Sequence, residues 1–471
     1  MVSRKGWAAL GVAFGLSACG GMGKSAEERI GDAMPPGSEV LAAKARLDAL
    51  GRQQGVDLRT IETEYQARLT NRVVDCAHGY RPSMFSSSER IRTALTDKDC
   101  FTRTDAALHD WIMYRRIGAL LSAPPLRPLP KTTPAMIVAA DRIQGATFAE
   151  RAGVAVFELS RRFQVVDIAS RATISEGETD GSPPVSVSPN GRLFVAGQGS
   201  DAQVRDAATG EALATFTGVR PYQFHWVHDT GAIFWPRRPA EDGGRTRMEP
   251  VYLDFTSGRE TRIPMTGMEV DRVVPVPGQA ARFAVFLNNR VGTVQLRQAA
   301  QGWDAQLLSE SVLSTNGWDR GAALTADGRT FFGTRESLQL VSLDAMLSRT
   351  VTLKPLRLVA AVATPDPDQV LVRGFFEGAP DMGYEDYVYS IGQRTLAKVE
   401  RDRQQSGWII YIPALQRNAV VDGSRIALLE RLPVALAADV DPYLEQRAQE
   451  LADMVKARRN VMLGATQQAP N

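Results

Sequence analysis

Similar short turns recur along this chain at intervals of roughly 40 to 50 residues. Each turn lies between two short apolar runs, and most of the turns contain Gly, Pro, Asn or Asp. Seven turns fit this description, near Arg151, Asn190, Thr230, Gln279, Gly328, Asp368 and Asn418. A repeat of this length with strand-like runs around a turn is typical of a four-stranded blade. The pattern therefore predicts a mainly β chain that folds into a seven-bladed β-propeller.

The two ends of the repeat region predict how the ring closes. Residues 135–143 form a spare strand before the first full repeat, and the last repeat, at 408–434, holds only three strands. Pairing the spare strand with the last repeat would complete a blade and remove an open sheet edge. This arrangement gives seven blades over residues 135–437, with six or eight blades as the alternatives.

The second repeat shows the pattern most fully. An alternating run at 185–189 leads through a turn into an apolar run at 193–196, and Asp206 and Gly210 follow after the next strand. Between 135 and 435 the chain resembles WD-repeat and related periplasmic propellers, most closely over 188–211. The repeats lack the Trp-Asp ending, and the four histidines, at 78, 109, 225 and 228, are too few for the histidine network of true WD repeats. The resemblance implies the fold, with Asp206 and Gly210 in structural roles, and no particular partner.

The N-terminus predicts export from the cell. Arg4 and Lys5 precede a short apolar stretch, which is too short to span a bilayer. Residues 16–19, Leu-Ser-Ala-Cys, resemble the lipobox of bacterial lipoproteins, and this resemblance implies cleavage after residue 18 and acylation of Cys19. Gly20 then suggests the outer membrane with the protein on its periplasmic side, and exposure at the cell surface is the alternative. An ordinary secretory signal with a chance cysteine is the alternative interpretation of the same residues.

The segments before the ring are predicted to be helical. Residues 19–37 are a flexible lipidated linker, residues 38–122 show helical spacing of apolar side chains, and residues 123–134 are a proline-rich connector. Cys76 and Cys100 remain once Cys19 is acylated. An oxidising compartment favours a disulfide between them, which contributes about 3 kcal/mol in the chain-entropy model. Two free buried thiols are the alternative.

The end of the chain predicts one more helix, over residues 438–463, followed by a disordered tail at 464–471. Asp441 and Pro442 are suited to a helix start, and the stripe Leu444, Ala448, Leu451 and Val455 repeats at helical spacing. The simpler interpretation is a helix packed on its own protein. The alternative is a helix that binds a partner or a membrane surface.

Charge argues against nucleic acid as a partner. The chain has 55 Lys and Arg residues against 53 Asp and Glu residues, and removal of the signal, with Arg4 and Lys5, leaves 53 against 53. A chain without a basic excess has no counterion-release advantage on a phosphate backbone.

Two insertions interrupt the compact repeats and are predicted to bind a partner. Both are expected to join the second and third strands of a blade, which places them on the same face. The basic insertion at 236–250 carries Arg237, Arg238, Arg245 and Arg247. The acidic and aromatic insertion at 374–386 carries Phe375, Phe376, Glu377, Asp381, Tyr384, Glu385 and Asp386. Ordinary solvated loops are the alternative interpretation.

No enzymatic signature is found in the sequence. There is no Gly-x-Ser-x-Gly elbow, and no catalytic residue or cofactor is predicted. His225 and His228 are three positions apart in a predicted strand, so they point to opposite faces and no metal site is predicted. The sequence favours a non-catalytic, membrane-anchored binding platform with an envelope protein as partner. The alternative is a propeller enzyme or small-ligand binder that acts on an envelope glycan or a redox cofactor.

Overall fold

The computed structural model describes a helical N-terminal region in part and the repeat region nearly throughout. The described residues are 49–50, 52–55, 90, 93, 100–132 and 134–467, apart from gaps at 180–185, 200, 228–230, 239–246, 249, 266–269, 277–278, 280, 288–289, 300–301, 313–322, 335–336, 344–346 and 401–406. The chain divides into two compact units, Met1–Arg116 and Ile117–Asn471.

The first unit is helical in its described part. Residues 49–50, 52–54, 90 and 93 are helical, and helix α1, Cys100–Ser122, begins in this unit. Cys19 and Cys76 lie outside the described residues, as does the side chain of Cys100. The signal peptide, the lipidated linker and the disulfide therefore stay predictions. Among the described helices, none combines the length and the apolar character that crossing a membrane requires.

Seven sheets of the second unit are the seven predicted blades, and each has at least four antiparallel strands. Blade one contains β2 (Gly145–Phe148), β3 (Val154–Leu159), β4 (Arg162–Asp167) and β5 (Thr173–Glu178), and blade two contains β6 (Ser186–Val187), β7 (Leu193–Gln198), β8 (Asp201–Asp206) and β9 (Ala212–Phe216). Blade three contains β10 (Phe224–Val227), β11 (Gly231–Phe234), β14 (Val251–Asp254) and β15 (Arg259–Arg262). Blade four contains β16 (Val270–Pro275), β17 (Arg282–Leu287), β18 (Arg290–Ala299) and β19 (Gly302–Val312).

The remaining three blades complete the ring. Blade five contains β20 (Ala323–Leu324), β21 (Thr330–Thr334), β22 (Leu338–Ser342) and β23 (Leu347–Val351). Blade six contains β24 (Leu356–Ala363), β25 (Gln369–Phe376), β26 (Glu385–Ser390), β27 (Thr395–Lys398) and a fifth strand, β31 (Ala438–Asp439). Blade seven contains β28 (Trp408–Ile412), β29 (Arg417–Asp422), β30 (Arg425–Leu428) and β1 (Met136–Val138).

The ring closes as the sequence predicted. Strand β1 pairs with β30 through Met136 with Ala427, Ile137 with Ile426 and Val138 with Arg425. The first strand of the repeat region thus becomes the outermost strand of the last blade. The two ends of the ring are joined by backbone hydrogen bonds, and the seven-bladed β-propeller is confirmed.

The apolar cores of the propeller lie between neighbouring blades. Strand β3 is buried at all six positions because blades lie against both of its faces. Phe163 and Phe194 meet between blades one and two, with ring centroids 4.9 Å apart. Phe157 and Ile426 belong to the core between blades one and seven. Each blade therefore depends on both neighbours for burial of its apolar side chains.

The recurring turn joins the first and second strands of a blade. In blade two it contains Gly191, whose φ of +69° is a conformation that glycine adopts without strain. After the third strand, the side chain of Asp206 accepts a hydrogen bond from the backbone of Ala208, and Gly210 turns the chain with a φ of +76°. Asp206 and Gly210 therefore have the structural roles that the resemblance implied.

The turn of blade two also holds the end of helix α1. The amide of Asn190, 4% exposed, donates hydrogen bonds to the carbonyl oxygens of Leu120, Leu121 and Ala123 at 2.8, 2.9 and 3.0 Å. A helix leaves its last carbonyl oxygens short of backbone donors, and the asparagine satisfies them here. The last turn of α1 is thereby fixed on the ring.

The chain after blade seven returns to blade six. Strand β31 pairs with β27 through Ala438 with Leu396 and Asp439 with Thr395, and helix α2, Val440–Gln467, follows directly. The fifth strand was not predicted. The helix continues past 463, where the sequence analysis placed a disordered tail, so that prediction was wrong for residues 464–467. Residues 468–471 lie outside the description.

Candidate functional site

The two insertions emerge on the same face of the propeller. The strands of a blade alternate in direction, so all connections between second and third strands lie on one face. The connections from β11 to β14 and from β25 to β26 are both of this type. We call this side of the ring the insertion face. The recurring turns, between first and second strands, lie on the opposite face.

The basic insertion of blade three forms a hairpin of its own. Strand β12, Arg237–Arg238, pairs with β13, Arg247–Met248, to make a separate two-stranded sheet. The side chains of Arg237, Arg238 and Arg247 are outside the description, as is the whole of Arg245. Their contribution to partner binding stays a prediction from the sequence.

The insertion of blade six is shorter than the sequence suggested, because strands occupy both of its ends. Strand β25 continues through Phe376, a short 3-10 helix covers Pro380–Met382, and β26 begins at Glu385. Phe376 is 2% exposed and Asp386 is 5% exposed. The prediction that these two side chains meet a partner is corrected, because both are buried: Phe376 packs in an apolar core, and Asp386 lies against Arg373 on the other side of the strand pair. Phe375, Glu377 and Tyr384 remain accessible.

Tyr384 is held in place by a stack of side chains. The buried carboxylate of Asp386 lies 3.8 Å from the guanidinium of Arg373. Arg373 in turn lies 5.4 Å from the centroid of the Tyr384 ring, and the ring of Phe375 meets Tyr384 edge-on at 5.9 Å. Cation–π and edge-to-face contacts fix the orientation of an aromatic ring. Tyr384 is nevertheless 59% exposed, so it presents an ordered aromatic surface to solvent.

Exposed apolar side chains are concentrated around blade six. Ten large apolar residues of the described chain are at least 36% exposed, and half of them belong to blade six or to the segment after blade seven that returns to it. These five are Met382, Tyr384, Val434, Leu436 and Met454. Two of them, Met382 and Tyr384, lie in the insertion of blade six. The sequence analysis named only Tyr384 of this group.

A cluster of charges holds α2 against the same blade. The Glu385 carboxylate accepts hydrogen bonds from Lys398 at 2.5 Å, from Arg447 at 2.5 and 3.3 Å, and from the Tyr387 hydroxyl. Burial alone would raise the pKa of Glu385, but the bonds from Arg447, Lys398 and Tyr387 outweigh it and lower the pKa to about 2. Burial and the neighbouring Glu385 carboxylate raise the pKa of Tyr387. The helix also packs through Leu444 and Leu451 on the core of blade six.

Loss of Glu385 is expected to release α2. Glu385→Ala leaves Arg447 and Lys398 without their shared carboxylate, and these side chains are only 19% and 30% exposed. We expect the free energy of unfolding, measured with urea at pH 7, to fall by about 3 kcal/mol. Glu450→Ala is the matched control because it removes an exposed carboxylate that binds the same arginine. Equal losses in both variants would contradict the assigned role of Glu385.

The same cluster makes the docking of α2 depend on pH. The pKa of Glu385 is about 2 in the folded protein, below its ordinary value of 4.5. Its contribution to stability is therefore complete above pH 4.5 and is lost as the pH falls towards 2. Proteolysis within α2 should accelerate over that interval. Glu385→Gln should be cleaved faster at neutral pH and should lack this part of the pH dependence.

The described residues contain no group of three or more His, Cys, Asp and Glu side chains placed to hold a metal ion. His228 lies outside the description, and His225 packs edge-on against Trp235 at 5.8 Å. Trp226 is buried in blade three, and Trp303 is partly buried against the core that blades three and four share.

Comparisons with known proteins bear on the fold alone. No family model matches the chain, and no curated protein matches it. One similar solved structure is the crystal structure of the β-propeller domain of Cps50 (Swd1) from Myceliophteria thermophila. It is 12% identical, covers 62% of this chain and 98% of its own, and superimposes with a TM-score of 0.45. The assignment as a seven-bladed β-propeller rests on the seven sheets and their closure.

Proposed function

We propose that this protein is a non-catalytic platform that binds another protein through the insertion face of its propeller. The observation that carries the proposal is the exposed Tyr384 ring, fixed by Arg373 and Phe375. Tyrosine is enriched among the residues that dominate protein interfaces, since it buries a large area with little loss of side-chain entropy. A ring that is already ordered loses still less entropy on binding.

The propeller supports this role through its rigidity. Each blade is packed between two neighbours, and the ring is closed by β1, so the loops are displayed from a fixed frame. Met382 belongs to the same insertion as Tyr384 and adds exposed apolar area to it.

We place the protein at the outer membrane, on the periplasmic side, within an envelope assembly. Support comes from the sequence of the first twenty residues, in which Cys19 follows Leu-Ser-Ala after a basic and apolar start. A lipid on Cys19 together with the linker at 19–37 would keep the ring close to the membrane and free to turn towards a partner.

Photo-crosslinking in the native host tests the platform and its location together. A benzophenone amino acid is placed at Tyr384 or, as control, at Leu347. Leu347 is 70% exposed and opens the fourth strand of blade five, on the face opposite the insertions. We expect a discrete cross-linked envelope protein in the outer-membrane fraction from position 384 and none from position 347. Equal products from both positions would contradict the insertion face. Recovery of the protein only in the soluble fraction would contradict the anchor.

A further inference from the structure

A row of three side chains crosses blade six at its insertion end. Strands β24 and β25 pair Arg357 with Phe375. The register of β25 with β26 ends at Gly374 with Glu385, and one step further Phe375 faces Tyr384, whose ring it meets edge-on at 5.9 Å. Opposite residues of antiparallel strands point to the same side of a sheet. Arg357, Phe375 and Tyr384 therefore lie side by side.

The row lies on the side of the sheet opposite helix α2. Leu356 and Phe376, which adjoin Arg357 and Phe375 along their strands, point the other way and share a core with α2. Arg357 is exposed, Phe375 is partly buried and Tyr384 is 59% exposed. The row is therefore accessible from the first strand of the blade to its insertion, a distance of about 10 Å across two strand spacings.

The two arginines beside Tyr384 differ in how their charges are balanced. The guanidinium of Arg373 lies 3.8 Å from the buried carboxylate of Asp386. Among the residues that the structure describes, none forms an ion pair or a hydrogen bond with the side chain of Arg357. The row thus combines an unbalanced cation at one end with a pair of aromatic rings at the other.

We infer that Arg357 determines the chemistry of the partner, which is a protein segment that places a carboxylate on Arg357 and an apolar or aromatic side chain on Tyr384. Arginine suits this role because its planar guanidinium binds a carboxylate through two parallel hydrogen bonds. An extended segment covers the distance of about 10 Å in about three residues, so the acidic and apolar residues are near neighbours in the partner. The inference rests on the proposed function, since it names the partner chemistry of the same site.

The charges around the row favour an acidic protein segment over an anionic membrane. Glu377 follows Phe375 by two residues and is exposed, and Glu400 is exposed in the segment after β27 at the same end of the blade. A uniformly negative lipid surface would be repelled by both carboxylates while it was attracted to Arg357. A protein segment can place one carboxylate against the arginine and keep neutral groups opposite the two glutamates.

Selection of peptides from a random 12-residue display library tests this chemistry on the full-length purified protein. We expect the selected peptides to carry Asp or Glu within about three positions of an aromatic or aliphatic residue. Arg357→Glu should weaken their binding about tenfold or more, because the carboxylate then meets a like charge. Arg394→Glu is the matched control, since Arg394 is an exposed arginine of the same blade in the turn after β26, on the face opposite the insertions. It should change binding by no more than about twofold.

A second selection, on the Arg357→Glu variant, separates a direct contact from a structural role. If Arg357 binds the carboxylate of the partner, the peptides selected on this variant should carry Lys or Arg in place of the acidic residue. Arg357→Lys keeps the positive charge but loses the planar fork, and it should bind the original peptides within about fivefold of the unmodified protein. Urea unfolding of all three variants should coincide with that of the unmodified protein, because both arginines are exposed.

Three results would overturn the inference. These are selected peptides without acidic enrichment, binding that Arg357→Glu leaves unchanged, and the absence of any selected peptide. Vesicles of phosphatidylethanolamine and phosphatidylglycerol are the second probe, and binding to them that is lost in Arg357→Glu would assign Arg357 to a membrane instead. Tyr384→Ala separates the two proposals. If only Tyr384→Ala loses the peptides, the proposed function stands and the role of Arg357 fails, whereas loss in Arg357→Glu alone keeps the cationic contact and refutes the role of Tyr384.

Discussion

Truncation of Ile137 to alanine is expected to lower the free energy of unfolding by about 3 kcal/mol, the range for a buried isoleucine reduced to a methyl group. Ile137 is 0% exposed in β1 and lies in the core that blades seven and one share. Its strand closes the ring, so the lost packing weakens the contact that holds the first and last blades together. Amide exchange should accelerate first in β30, the strand that β1 covers.

The adjacent residue supplies the control. Val138 lies in the same short strand and is 40% exposed, and Val138→Ala should change stability by no more than about 0.5 kcal/mol. Urea unfolding of both variants, with hydrogen exchange resolved by segment, measures the difference. If Ile137→Ala proved as stable as Val138→Ala, or if exchange rose equally in all blades, β1 would not be the element that closes the ring.

The closure could be predicted from sequence because it follows from counting strands. A spare strand at one end and an incomplete repeat at the other leave one pairing that removes an open edge. The turns were equally readable, since Gly191 and Gly210 occupy positions with positive φ where other residues are strained. Both features are local and repeat, so each repeat gave independent support for the same interpretation.

The arrangement of blade six could not be predicted in the same way. Strand β31 has two residues, too few for an alternating pattern, and it pairs with a strand some forty residues earlier in the chain. The stack under Tyr384 depends on where β25 ends. Neighbouring residues of a strand point to opposite sides, so the register of β25 leaves Phe375 partly exposed and buries Phe376. Composition marked this insertion as aromatic and acidic, but the register decided which of its side chains are displayed.

Arg373 shows why the site residues were harder to find than the fold. It lies within a strand, and nothing in its neighbourhood along the chain distinguishes it from other strand arginines. Its position is determined by the buried Asp386 on the next strand, directly opposite it in the sheet register. A cross-strand ion pair that supports a loop residue is a tertiary feature, and only the strand pairing brings these groups together.

Tyr384→Ala is expected to weaken binding of the cross-linked partner about 30-fold, which corresponds to about 2 kcal/mol for a residue that dominates an interface. The side chain is 59% exposed, so its removal should leave the unfolding curve of the protein nearly unchanged. The loss should appear mainly as faster dissociation, since short-range contacts affect the lifetime of a complex more than its rate of formation. Calorimetry and surface-binding kinetics with the purified partner measure both quantities.

Two variants control for this result. Tyr384→Phe keeps the ring, with its contacts to Arg373 and Phe375, and should bind within about threefold of the unmodified protein because the ring supplies most of the buried area. Tyr222→Ala removes a second exposed tyrosine, 46% exposed beside Arg220, at the entrance to blade three. It should have little effect, since exposed apolar residues cluster around blade six instead. If Tyr222→Ala cost as much affinity as Tyr384→Ala, the partner would cover the insertion face evenly, and blade six would not be the centre of the site.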